Sequence, residues 1–106
     1  MHDAQEYTYR VYWSDEDREY VATVAEFPSL SNLAKTPDDA LHGIIDLVAF
    51  SLGEMNEANQ QAPVPLGSRR YSGKIALRMT PDQHRRVAME AAEQGVSINT
   101  LLVSRI

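Results

Sequence analysis

The sequence predicts an α+β protein: an N-terminal sheet of three to four strands under one covering helix, a linker, and a smaller C-terminal unit of one strand and two helices. Three observations lead there. An aromatic and β-branched run alternates on either side of a polar turn, as a hairpin does. Thr-Pro-Asp at Thr36 and again at Thr80 opens a stretch with helical apolar spacing. Between those stretches lies a segment of prolines, glycines and polar residues.

The hairpin is carried by YTYRVYWSDEDREYVATVAEF, which sets Tyr7, Tyr9, Val11 and Trp13 against Thr8, Arg10 and Tyr12, breaks at SDEDRE and resumes as YVATVAEF. Pro28 ends the second strand because proline cannot donate to a ladder, and SLSNLAK supplies a short third. At Thr36 a capping hydroxyl precedes Pro37 at the first helical position, with Asp38 and Asp39 facing the positive end of the helix dipole. Leu41, Ile44, Val48, Leu52 and Met55 follow at helical spacing, and Ala40, Ile45 and Leu47 broaden the stripe. NEANQQAPVPLGSRRYSG then breaks the pattern, with Val64–Leu66 a candidate edge strand. The boundaries expected are 1–62 for the first domain, 63–72 for the linker and 73–106 for the second.

The second unit reads as a strand over 73–79 (GKIALRM), a helix over 81–94 and a helix over 98–106. Thr80-Pro81-Asp82-Gln83 is a capping box, Gly95 suits the left-handed residue that closes a helix, and Ser97 caps the next one. His84, Val87, Ala88 and Ala91 make a narrow apolar stripe. Ile98, Leu101, Leu102, Val103 and Ile106 leave the last helix apolar nearly all round, so it needs burial.

Composition limits the classes of function. Of the 106 residues, 43% are apolar, enough for a packed core. There is no cysteine, which excludes disulfides and thiolate metal sites. No basic-then-apolar leader opens the chain, and no apolar run approaches the ~18 residues of a membrane span, so a cytoplasmic protein without membrane association is expected. The net charge of -5 is unevenly spread. Residues 1–62 hold twelve acids against Arg10, Arg18 and Lys35, a charge of -9; residues 63–106 hold seven basic residues against Asp82, Glu90 and Glu93, a charge of +4. An acidic half joined to a basic one suits two partners, one of them nucleic acid.

Signals for catalysis are weak, and no enzyme, cofactor or metal is expected. Asp15, Glu16 and Asp17 are consecutive in a turn, where side chains fan out instead of converging on a cation. His2, His42 and His84 fall in different elements without the i, i+4 spacing of a helical metal pair. Ser14, Ser29 and Ser31 lack nucleophile-elbow glycines, and Gly67 and Gly73 are too sparse for a phosphate loop. The aromatic group Tyr7, Tyr9, Tyr12, Trp13 and Tyr20 sits in a half too acidic to hold nucleic acid, so core and protein interface is its expected use.

The lone strand poses the decisive question. Lys74, Ala76 and Arg78 alternate with Ile75, Leu77 and Met79, and no other strand in that unit pairs with it. Two chains pairing this strand antiparallel across a two-fold axis would bury Ile75, Leu77 and Met79 with Ile98, Leu101 and Leu102 of the last helix. The ribbon would then present Lys74, Ala76 and Arg78 to the major groove of DNA. Ser97, Ile98 and Asn99 would offer the start of the last helix to a phosphate.

That layout resembles the ribbon-helix-helix DNA-binding domain. YSGKIALRMTPDQHRRVAMEAAEQGVSINTLLVSRI looks like the C-terminal domain of the HicB antitoxin family, in the YSGK strand, the proline-led helix, the A-x-x-x-G-V-S bend and Asn99. YRVYWSDEDREYVATVAEFPSLS is similar to that family's acidic domain, an incomplete ribonuclease H fold. The resemblance implies a type II toxin–antitoxin system, in which the acidic domain blocks a small basic ribonuclease of the HicA type and an intertwined C-terminal dimer, or a higher even oligomer, represses the operon. Tyr9, Tyr12, Trp13, Tyr20 and Glu26 are the candidate toxin contacts. Ala76 departs from the pattern, being shorter than the side chain that usually reads a base at the middle outward position. The alternative is a free-standing repressor whose N-terminal domain senses a ligand or drives oligomerisation.

Overall fold

Tyr9–Ser14 (β1) and Glu19–Val24 (β2) form the hairpin, antiparallel and in register from Tyr9 opposite Val24 to Ser14 opposite Glu19. The structure is a computed structural model and describes residues 2–106. Arg18 closes the hairpin turn in the left-handed region, at φ 54°, and Asp17 is tied to Ser14 through its carboxylate and its N–H, at 2.8 and 3.2 Å. Ser31–Ala34 (β3) pairs antiparallel with the other edge of β2, giving a three-stranded sheet of order β1-β2-β3. The fold class is α+β.

Alternation puts Tyr9 and Val11 of β1 beside Val24 and Ala22 of β2 on one face. Across that face lies Pro37–Glu57 (α1), which buries Ala40, Ile44, Val48 and Leu52 at four-residue spacing. The Thr36 hydroxyl accepts from the Asp39 N–H at 3.1 Å, the cap expected there. The Asn32 side-chain amide donates to the carbonyls of Asp39 and Ala40, stapling β3 to the first turn of α1. Gly43 is required by this close approach, since a Cβ there would collide with the Asn32 side chain. At the other end Asn59, at φ 55°, turns the chain so that the Gln60 N–H reaches the Met55 carbonyl, a Schellman closure.

No edge strand forms at Val64–Leu66. The segment is fastened by side chains instead: the Tyr7 hydroxyl donates to the Pro63 carbonyl at 2.8 Å, and the Leu66 N–H donates to Glu26 at 2.8 Å. Pro65 is fully buried. Leu66–Ser68 makes a single 3-10 turn, bridged by the Tyr71 hydroxyl to the Leu66 carbonyl. Because of these bonds the chain divides after Tyr71, where the sequence suggests a linker over 63–72.

The second compact unit is Ser72–Ile106. Among the described residues, 73–79 pair with nothing, so the strand expected over this segment is not formed within one chain. Pro81–Gln94 (α2) starts in a complete capping box, with Gln83 N–H to the Thr80 hydroxyl at 3.2 Å and Thr80 N–H to Gln83 Oε1 at 3.0 Å. Gly95, at φ 71°, ends it, and the Val96 N–H bonds to the Ala91 carbonyl. Ile98–Val103 (α3) is capped by Ser97 and stops three residues short of the expected 106. Ser104 turns its hydroxyl back to the Leu101 carbonyl, and Arg105 forms an ion pair with Glu90 of α2. Ala91 and Leu101 are the unit's buried side chains. Among the described residues no helix is long and apolar enough to cross a membrane.

Candidate nucleic-acid and self-association face

An uncovered apolar surface dominates Ser72–Ile106. Ile75 is 88% exposed and Leu77 65% exposed, values that a folded unit tolerates poorly for two large aliphatic residues in one short segment. With Met79 they border an open groove of about 600 Å³, whose far wall is Ile98 and Leu102 of α3 and His84 of α2. Five of the six residues assigned to self-association therefore meet around one groove. Leu101 does not; it is buried in the small core between α2 and α3. His84, placed on the apolar stripe of that helix by the sequence, is exposed at the rim.

Lys74, Ala76 and Arg78 are exposed. The Lys74 N–H is held by the Ser72 hydroxyl at 3.0 Å, which turns the chain into the segment just after Gly73, at φ 81°. Arg78 and Asn99 also border the groove. Ser97 is occupied as a cap, accepting from the Thr100 N–H at 3.0 Å and donating to the Thr100 hydroxyl at 2.9 Å. The first helical bond of α3 runs from Leu101 to Ser97, so the N–H groups of Ile98 and Asn99 precede the ladder.

The residues assigned to toxin binding are dispersed by the fold. Tyr9 faces the core, and its hydroxyl donates to the Ala4 carbonyl at 2.6 Å. Burial, together with the nearby Glu26 carboxylate, pushes that phenol up to about 12. Glu26 is a fastener: its carboxylate accepts from the Thr8 N–H, the Thr8 hydroxyl and the Leu66 N–H at 2.8–3.0 Å. Burial raises its pKa, but the three hydrogen bonds outweigh it and hold the carboxyl below its usual value. Trp13 and Tyr20 stack edge to face, 5.1 Å between centroids, at the turn end of the hairpin. Tyr12 projects from the opposite face of the sheet, beneath the Arg10 guanidinium. Asp15 and Asp17 are spent within the turn, on Arg18 and Ser14.

One exposed residue has no place in the sequence reading. Phe50 of α1 is 68% exposed, although its neighbours Val48 and Leu52 are buried. Its only signal in the sequence is position: it falls two residues after Val48, off the stripe, where a helix normally carries a polar residue.

The model of the HicB family matches residues 58–106, which takes in the fastened segment and the whole second unit and begins after α1. No curated protein and no solved structure matches the chain.

Proposed function

We propose, since residues 58–106 match the model of the HicB family, that the chain is the antitoxin of a type II toxin–antitoxin system. In this reading it neutralises a HicA-like ribonuclease and represses its own operon as a dimer or higher even oligomer in the cytoplasm. Its work is binding, with no catalytic step and no cofactor.

One observation carries the DNA-binding half. The unit that leaves Ile75, Leu77, Met79, Ile98 and Leu102 around an open groove also exposes Lys74 and Arg78 on the same short segment. A second copy is the occupant that satisfies both features. It supplies the missing strand and covers the groove, and it doubles the basic ribbon. Specificity would come from Arg78 and Lys74, with Ala76 adding only apolar contact. The acidic first unit supports the toxin-binding half, because a ribonuclease adapted to polyanions is basic and is steered toward carboxylates.

The test is in cells. Expression of the small reading frame adjacent to the gene should arrest growth, and co-expression of this chain should relieve the arrest and silence a reporter driven by the operon's promoter. Persisting arrest with intact promoter silencing would favour a free-standing repressor over an antitoxin.

A further inference from the structure

The face of α1 turned away from the sheet is built unlike the rest of the first unit. Phe50 stands at its centre, with Leu47 beside it, 38% exposed. Gly53, one turn on, has no side chain, and nothing would lie within 4 Å of a Cβ placed there. The result is a notch of about 180 Å³ lined by Ala49, Phe50, Gly53, Glu54 and Glu57. The helix carries five carboxylates, Asp38, Asp39, Asp46, Glu54 and Glu57, and no lysine or arginine. Among the described residues none of the five enters an ion pair.

The free face of the sheet makes a useful contrast. There Tyr12, Val21 and Leu33 lie in one cross-strand row. Its charges are already answered: Arg10 lies over Tyr12, and Lys35 pairs with Glu19 at 3.7 Å. The α1 face has neither internal pairing nor apolar cover. Its charge also selects its partner class. Nucleic acid and anionic lipid are repelled, and a second copy would set carboxylates against carboxylates. A basic protein surface is the complement.

We propose that the outer face of α1, centred on Phe50, docks a basic protein, with an arginine or lysine side chain laid across the Phe50 ring in the Gly53 notch and its cationic head beside Glu54 and Glu57. An aromatic face next to unpaired carboxylates is what such a side chain gains most from, by apolar contact of its stem with the ring and by cation–π and Coulomb attraction at its charged head. Leu47 supplies apolar contact at the margin, and Asp46 and the Asp38–Asp39 pair extend the attraction along the helix. The inference rests on the antitoxin reading for the identity of the partner: the basic toxin.

The experiment is a calorimetric titration of the full chain with the purified product of the adjacent reading frame. Two variants probe the notch from opposite directions. Phe50→Ala removes the anchor. Gly53→Leu fills the notch, and, as leucine is the better helix former, should leave the fold at least as stable. Each should weaken binding about 30-fold or more, with melting temperature and operator binding unchanged. Glu54→Lys with Glu57→Lys should slow association and flatten its salt dependence. Wild-type binding that both Phe50→Ala and Gly53→Leu match would overturn the α1 face and leave the antitoxin reading standing, as would a loss confined to Trp13→Ala. No binding by the wild-type chain would overturn that reading, and this inference with it.

Discussion

Glu26 joins three parts of the first unit through one carboxylate: the start of the hairpin at Thr8, the end of β2, and Leu66, forty residues further on. Its folded pKa lies below the usual 4.5. The ionised form is therefore the one the fold prefers, and its contribution to stability is present above the unfolded value and lost as pH falls through the lower folded value. Glu26→Gln keeps the shape but loses the charge and part of the acceptor capacity, so at neutral pH it should destabilise the first unit by about 1–3 kcal/mol. Melting curves of both proteins between about pH 7 and pH 3 should converge as the wild-type carboxylate protonates. A gap that stays constant with pH would mean that the carboxylate's charge does not hold the segment. The sequence alone offers Glu26 only as a candidate toxin contact. The caps at Thr36 and Thr80 are legible because donor and acceptor lie three residues apart. The bonds from Glu26 to Leu66, and the reason for Gly43 in the Asn32 side chain, depend on contacts that local pattern does not encode.

Elements with a strong period were readable to within a residue or two: the hairpin, α1 and α2 fall where alternation, helical spacing and capping put them. Two were not. Val64–Leu66 has strand-like composition, but Pro63 and Pro65 lack the N–H groups a ladder needs, and the segment is held by Tyr7 and Glu26 instead. The last helix has the apolar residues to reach Ile106, yet Ser104 and Arg105 end it by bonding back to Leu101 and Glu90. The segment 73–79 is the element on which the proposed DNA binding turns. Lys74 and Arg78 are exposed and make no ion pair among the described residues, so replacing both with alanine should leave the melting temperature of the protein unchanged. Operator affinity should fall by about 1–3 kcal/mol for each base-reading side chain removed, counted twice by two-fold symmetry. Mobility-shift titration checks this, and an unchanged affinity would take the ribbon out of the DNA interface.

At the scale of the whole molecule the two units are unequal in self-sufficiency. The first has a sheet, a covering helix and a continuous core from Ala4 to Leu52. The second buries only Ala91 and Leu101 while exposing Ile75, Leu77, Val103 and Ile106. A unit of roughly 35 residues rarely holds its fold by so small a core. We propose that folding of Ser72–Ile106 is coupled to association, and the DNA-binding reading depends on that coupling. Sedimentation equilibrium of the full-length chain beside its Leu77→Lys variant, with circular dichroism on the same samples, measures the coupling itself. Coupled folding predicts a wild-type dimer or higher even oligomer, and a monomeric variant that loses the helical signal of α2 and α3 while the first unit stays folded. A wild-type chain that is monomeric at every concentration, with α2 and α3 intact, would contradict it.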